Sequence, residues 1–519
     1  MQFLLHLPQS GRRAALQHAT AFLFNELGFF FQHVEDARPA ISLQIECYLY
    51  LSSDSKGIHF KGDFNDQLNG IETAIQDRHR LPIELEYTLT GSSLVISSNL
   101  IPWIYTVLAH REEQLFPDNQ RDKHQRIPFS ASLAESQEWF KLPRLSQAIQ
   151  QLSEAIRRYL ATIETPLFYK SPWPEKKQKA VSLTHDVDIL DKWFLFAGKQ
   201  FMEQLSCRQA GAAFRLLRSS AGNLLSGKNP ATDVSWLLDL EQEYGFVSSW
   251  HFLMGNASLS SLLQSDITYS PKRILPLIPL LKERHAEIGL HSSYFTQDQP
   301  SSIKDQTARL KSTTGQPIQG VRAHFLRSSG LPFLQSAERE GLTWDSSEGF
   351  AEISGFKTGM TQSYHPILDD APLKIREFPL HWMDRTYSKY HSSVLSEIYD
   401  DFIQLAGCFE SYGGVFTLLW HNYTVSDLGF ADYETLYRDM LAHLKRSGFY
   451  NDTPSQLALC LKKKEAVRLE IRKDSCSLLS ENRRVRLPRP SDLLSSSIVQ
   501  VDCTTLTWEF VRTNPSLFQ

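Results

Sequence analysis

Two carboxylates spaced i, i+2, Asp186 and Asp188, close the stretch AVSLTHDVD, whose apolar start reads as a buried strand. Residues able to do chemistry also end other short apolar runs. His291, Ser292, Ser293 and Tyr294 follow EIGL, Arg322 and His324 close GVRAH, Asp345 follows LTW, and His421 with Asn422 follows VFTLLW. Such a set suits hydrolysis by a metal-bound water. Asp188 and His291 offer the hard oxygen and the imidazole that Zn²⁺, Co²⁺ or Mn²⁺ accept. Asp186 lies on the same side of an extended segment, so it is placed to take a proton from that water. Arg322 supplies an opposite charge that orients an aspartate and holds it ionised. His421 can give a proton to the leaving group.

Each of these residues also has a structural reading. Asp caps helices well, and a lone histidine at a strand end is commonly a hydrogen-bonding group. Arg322 can pair with a structural carboxylate, and Asp345 with Ser346 can begin a turn. Trp382 and Asp384 in PLHWMDRT line a mouth or pack with equal weight, whereas His185, on the opposite face from its neighbours, is expected to pack or hydrogen-bond. Five strand ends bearing such groups favour one shared site over five coincidences.

A shared site needs strand ends that face one another. After the Pro-rich stretch SPWPEKKQKA, short apolar runs alternate with amphipathic ones. AVSL precedes DKWFLFAGKQFMEQL, WLLDLEQEYG precedes FVSSWHFLMG, and RILPLIPLLKERH precedes EIGL; GVRAH, LPFLQSAEREG, LTWD, IREFPL, IYDDFIQLAGCFESYGG, VFTLLW and YETLYRDMLAHLKRSG continue the series. This alternation predicts an α/β fold with a parallel sheet, closed or nearly closed into a barrel over residues 178–462, with an open doubly wound sheet as the alternative. In such a barrel the residues past the carboxyl ends of the strands share one mouth.

Residues 1–170 mix helical stretches such as ALQHATAFLFNELGF with strand-like ones such as ISLQIECYLYLS and SLVISSNL, which predicts an α+β domain. Within it HREEQLFPDNQRDKHQR reads as a solvated loop, and the helix LSQAIQQLSEAIRRYL leads to a linker around Ser171–Lys179. From 463 to 519 the runs AVRLEIR, SIVQVDC and LTWEFV predict a small β appendage.

The 519 residues are too many for one ordinary core, so two or three domains are expected. With 54 basic and 58 acidic residues the net charge is -4, which gives no electrostatic reason for a nucleic-acid partner. Cys47, Cys207, Cys408, Cys460, Cys476 and Cys503 show no CxxC spacing, so they read as thiols in a reducing compartment. With the apolar patch in MQFLLHLPQSGRR too short for a signal peptide, cytoplasmic is the default localisation. The uncharged run from Gly91 to His110 reaches spanning length, but its serines, Asn99 and Pro102 predict a strand followed by a buried helix. Peripheral contact with a membrane surface stays open, without a feature that indicates it.

Taken in order, THDVD, GLHSSY, GVRAHFLR, TWDSS and LLWHN resemble the motif series of the NodB-type polysaccharide deacetylases, the carbohydrate esterase family 4 superfamily. The resemblance spans roughly Lys179 to Cys460, and the part before it is similar to an accessory domain found ahead of such catalytic domains in some bacterial members. It implies a distorted (β/α) barrel and metal-dependent removal of N- or O-acetyl groups from an acetylated carbohydrate, zinc being the first expectation and cobalt or manganese the alternatives. Asp186 then matches the general base, Asp188 a metal-binding aspartate, His291 the first metal histidine, Arg322 the arginine that holds the base and His421 the general acid. Asp345 falls in the following acidic motif.

The chain departs from that pattern at one ligand. Four residues beyond the first metal histidine most members place a second, where this chain has Phe295. His324 and His251 are the candidates to replace it, His324 ahead because it lies nearer its strand end; Thr296, Ser292 and water are weaker ones. Two other readings remain: a silent carbohydrate-binding protein on the same barrel, and an amidohydrolase acting on a non-sugar amide. Aromatics in YSPKR, GFAEISGFKTGMTQSYHPI and YSKYHSS are available to stack on sugar rings.

Overall fold

The computed structural model describes residues 3–6, 13–28, 31–33, 47–50, 57–61, 64–90, 93–162, 167–206, 210–255, 269–328, 330–391, 394–472, 475–480, 483–487 and 498–511. The regular alternation after residue 178 forms one parallel sheet. Its strands, in chain order, are β1 (Lys179–Val187), β2 (Ser248–Leu253), β3 (Glu287–Ser292), β4 (Gly320–Ala323), β5 (Trp344–Asp345), β6 (Arg376–Glu377), β7 (Leu380–Met383), β8 (Gly414–His421) and β9 (Tyr450–Asn451). Across the sheet they run β6-β5-β4-β3-β2-β1-β8-β7, with β9 beside the start of β1. The strands are buried along nearly their whole length, which is why they read as continuous apolar runs rather than alternating ones.

The sheet curls strongly. β1 and β4 are separated by β2 and β3, which would hold them roughly 14 Å apart in a flat sheet. Instead Arg322 on β4 donates to Thr184 and Asp186 on β1 at 2.8 and 3.1 Å. Helices cover the outside, among them Ser235–Glu243, Ile303–Thr314, Leu331–Arg339, Leu395–Tyr412 and Tyr433–Arg446, and their apolar faces build the largest core with the strands. In RILPLIPLLKERH only Ile278–Glu283 is α-helical, after a short 3₁₀ turn at Pro271–Arg273. Pro276 and Pro279 lack the amide hydrogens that a longer helix would need.

The N-terminal part has a six-stranded sheet in the order Phe31–His33, Phe3–His6, Cys47–Tyr50, Gly57–Lys61, Ser93–Ser98, Leu85–Thr90. Residues 41–46 of the stretch read as a strand lie outside the described residues. The long uncharged run forms the strand Ser93–Ser98 and the helix Leu100–Leu108, every residue of which is buried in protein. Its core is shared: Phe350, Met360, Tyr364 and Ile367, from the connection between β5 and β6, pack into the N-terminal cluster.

Two sequence expectations are corrected here. The stretch read as a linker, Ser171–Lys179, is packed into the fold: the strand Leu167–Ser171 that leads into it pairs with Ile498–Asp502, and within it Trp173 is buried and stacked on Tyr450. Proline-rich composition marked a break in periodicity without showing what would pack there. Further on, helix Pro454–Ala466 runs through position 463, and the strands beyond it form two three-stranded sheets, one of which takes its third strand from Leu167–Ser171.

Candidate metal and acid-base site

β1 delivers its side chains alternately to the two faces of the sheet. His185 points outward, with its ring nitrogens 3.0 Å from the Trp420 carbonyl and 2.7 Å from Glu241. Thr184 and Asp186 point inward, and Asp188 follows just beyond the strand end. Around these carboxylates gather His291 from β3, Arg322 from β4, His324 from the turn just past β4, and His421 from β8. Of the seven residues expected to form the site, the mouth therefore collects six.

Asp186 is buried, 3.1 Å from Arg322, 3.4 Å from His251 and 3.5 Å from His291. Burial alone would raise its pKa, but His291, Arg322 and His251 together hold it well below the ordinary carboxylate range. Arg322 is itself fully buried and held from three sides: Nε donates to the Ser346 carbonyl at 2.9 Å, Nη2 to Ser346 Oγ at 2.8 Å and Nη1 to Thr184 Oγ1 at 2.8 Å. Its position beside Asp186 is therefore fixed by one carbonyl and two hydroxyls as well as by the carboxylate.

Asp188 lies 3.3 Å from His291 Nε2, 3.8 Å from His324 Nε2 and 3.7 Å from His421 Nε2. Here too burial favours the neutral acid, and the hydrogen bond from His291 with the charges of His324 and His421 outweighs it, bringing the pKa down to about 2. His291 Nδ1 sits 2.9 Å from the Arg322 carbonyl, which fixes Nδ1 as the donor and leaves Nε2 facing the two aspartates. Burial would lower the pKa of His291, yet Asp186 and Asp188 raise it to about 9.

Ligand atoms of Asp188, His291 and His324 all lie within 4.8 Å of one another. One carboxylate and two imidazoles, with the second nitrogen of His291 already engaged on a carbonyl, fit a divalent cation of the zinc, cobalt or manganese kind. His251 does not join this group. It lies deeper, beside Asp186, with its ring edge-on to Trp344 at 5.4 Å, and burial lowers its pKa to about 4. Gly289, its partner across the ladder, makes the room, since a Cβ there would come within 2.6 Å of the His251 ring. Phe295 is outside the mouth lining, and Thr296 accepts a hydrogen bond from Gln306 at 2.9 Å.

His421 is backed by Asp384, whose carboxylate accepts from its ring at 2.7 Å and from its backbone N–H at 2.9 Å. Burial pulls the pKa of His421 down, and Asp384 more than compensates, so it is raised. The two readings of PLHWMDRT thus divide between its residues. Asp384 supports the site, whereas Trp382 packs in the core, stacked on Trp420 at 6.0 Å. Asn422 ties loops together by donating to the carbonyls of Ile189 and Ala231.

Asp345 is the expected residue that the fold does not bring to the mouth. Its carboxylate accepts from the backbone and hydroxyl of Ser347 at 2.9 and 2.7 Å, and Ser347 Oγ accepts from the Ala323 N–H. Burial raises the pKa of Asp345 and of neighbouring Glu377, and the Asp345 charge raises Glu377 further. Asp345 thus shapes the turn that cradles Arg322.

The stretch read as a solvated loop also reaches the site. Phe325, next to His324, has φ +61°, a left-handed conformation that costs a non-glycine residue of order 1–3 kcal/mol. It is clamped from the N-terminal part: Arg126 donates to its carbonyl at 2.8 Å, and the His124 ring stacks on it at 4.9 Å. Charge content gave no signal for this role, because a clamp and a solvated loop share a composition. The cleft in front of the site measures about 1680 Å³ including its open mouth, and Arg385 and Lys389 sit in it over the rings of Tyr423 and Phe325. Among the aromatics suggested for sugar stacking, Tyr390 lines this cleft, while Tyr269 is spent on the Leu253 N–H and the Val187 carbonyl.

No family model and no curated protein matches the chain. Among solved structures it is similar to a protein of Mycobacterium smegmatis described as a polysaccharide deacetylase, at 15% identity and a TM-score of 0.38 over 58% of this chain and 96% of that one. It is similar to a peptidoglycan deacetylase of Bacillus subtilis at 16% identity and a TM-score of 0.28, covering 56% and 95%. It is also similar to a family 4 carbohydrate esterase pseudoenzyme of Bacillus anthracis, at 9% identity and a TM-score of 0.30, covering 57% and 69%.

Proposed function

We propose that this chain is a metal-dependent carbohydrate deacetylase of the NodB type, hydrolysing an N- or O-acetyl group on a glycan or glycan precursor. The observation that carries the reading is the convergence of Asp186, Asp188, His291, His324 and the Asp384-backed His421 at one strand-end mouth. Asp188, His291 and His324 would hold the cation, zinc being the first expectation. A divalent cation there would supply Lewis-acid polarisation of the acetyl carbonyl and of the attacking water.

The chain's own residues supply the proton transfers. Asp186 accepts a proton from water as its oxygen bonds to the acetyl carbon. Its carboxylate stays ionised because His291, Arg322 and His251 together outweigh its burial. Arg322 keeps the carboxylate in place. His421, held cationic by Asp384, donates its proton to the nitrogen or oxygen that leaves the acetyl carbon, and acetate is released. Aromatic side chains at the mouth offer faces for a sugar ring.

The test is acetate release from acetylated oligosaccharides by the metal-loaded chain. His421→Ala is expected to lower turnover by about two to four orders of magnitude, the worth of one positioned acid. Unchanged turnover in that variant would remove His421 from the mechanism.

A further inference from the structure

Two helices beside the mouth, α1 (Trp193–Ser206) and α2 (Ala210–Ser226), form a hairpin that buries little of itself. α1 buries Trp193, Ala197 and Gln200, and α2 buries Ala213, Leu216 and Asn223. Their other faces are apolar and in water. Phe194, Leu195, Met202 and Leu205 are exposed on α1; Phe214, Leu217, Leu224 and Leu225 are exposed on α2, Phe214 by 67% and Leu225 by 91%. Among the described residues these eight are more than half of the fourteen large apolar side chains so exposed. On α2 they are spaced three, seven and one residues apart, which at helical pitch places all four in a stripe on one side of the helix. A patch of this kind on a water-soluble surface marks a contact.

Its charge indicates the partner. Exposed Lys192, Lys199, Arg215, Arg218 and Lys228 flank the stripe, and Glu203 is the only acid between 192 and 228. Lys199 lies 4.0 Å from Glu203, and Lys228 lies 3.7 Å from both Asp233 and Asp427. No ion pair with a described acid holds Lys192, Arg215 or Arg218. The excess is positive in a chain whose net charge is -4. Pairing the stripe with its copy about a twofold axis would oppose like charges, which disfavours a dimer through this face. An apolar stripe flanked by bases suits an anionic bilayer, with the apolar side chains among the acyl chains and the bases at the headgroups. No described helix is long and apolar enough to cross a membrane, so the hairpin would lie in the interface.

We propose that the α1–α2 hairpin docks this protein on an anionic lipid surface, with the catalytic mouth held at the headgroup level. The mouth and the stripe are continuous, since Lys192, Leu195, Phe196 and Lys199 line the cleft that contains Asp186 and Asp188. Taken with the proposed deacetylase activity, on which this consequence rests, the favoured substrate is a saccharide carried on a lipid anchor.

Docking is read without turnover. Full-length protein is sedimented with vesicles of phosphatidylcholine alone and of phosphatidylcholine mixed with phosphatidylglycerol. The mixed vesicles should carry the protein down, pure phosphatidylcholine should not, and salt should weaken the binding. Phe214→Asp with Leu225→Asp, and separately Arg215→Glu with Arg218→Glu, should each weaken it roughly tenfold or more while leaving Tm unchanged. Asp186→Asn should still dock, so failed docking and failed catalysis are told apart. No sedimentation, undiminished binding of both surface variants, or a dimer that those variants dissolve while vesicles stay unbound would each overturn the proposal.

Discussion

Asp186 and Asp188 lie two residues apart, yet their surroundings divide their work. Asp186 faces the buried Arg322 and the deep His251, while Asp188 faces the open mouth and three imidazoles. In the proposed ligand set His324 is the member that stands in for the histidine Phe295 replaces. Removing it by His324→Ala is expected to weaken zinc affinity by more than about a hundredfold, checked by calorimetry with the far-UV spectrum unchanged. The pH dependence has a defined sign. In the metal-free protein His291 is raised to about 9 from 6.5, so its charged form contributes stability that is full below 6.5 and is lost as pH rises through about 9. A metal must displace that proton, so apparent zinc affinity should climb about tenfold per pH unit through this window, a slope that titrations at several pH values would read. Asp186, Asp188, His291 and Arg322 were legible in the sequence because strand alternation and strand-end position fix where they point. His324 could be placed only as the replacement for a missing histidine, and the deep seat of His251 depended on the bare Gly289 across the ladder, a pairing no local pattern reveals.

At the scale of elements, the junction of β7 and β8 carries a second, separate titration. The register between these strands shifts between Leu380 and Trp382, and the ring of His381, at the irregularity, accepts the Thr417 N–H at 3.3 Å. His381 sits among Phe356, Phe409 and Phe416, and burial there lowers its pKa to about 3. Neutral His381 therefore contributes stability present above 6.5 and lost as pH falls toward about 3. His381→Phe should cost about 1 kcal/mol at neutral pH for the lost Thr417 acceptor. It should also lose roughly 2–3 kcal/mol less than wild type between about pH 7 and about pH 4.5 in urea titrations. The strands themselves were readable from length and apolar content. The exposed side of the α1–α2 hairpin was not, because an amphipathic helix looks the same whether its apolar face meets a core or a membrane.

At the scale of the molecule, the N-terminal part is tied to the strand-end mouth. His124 and Arg126 hold the strained Phe325 beside His324, so the N-terminal part helps to orient a candidate ligand. Arg126→Ala is expected to lower zinc affinity about tenfold, the usual scale for a group that orients a ligand from behind, with global unfolding little changed. A polar stretch could not disclose this in sequence, because its contacts are with a turn two hundred positions away. The proposed chemistry of this mouth is metal-dependent deacetylation with Asp186 as base. Acetate release from acetylated oligosaccharides, by metal-loaded wild type beside metal-loaded Asp186→Asn, tests it most directly. Release by the wild type that a chelator abolishes is expected, with none above background from the variant although it retains the metal. Equal release by both proteins, or none from metal-loaded wild type across N- and O-acetylated substrates, would contradict it.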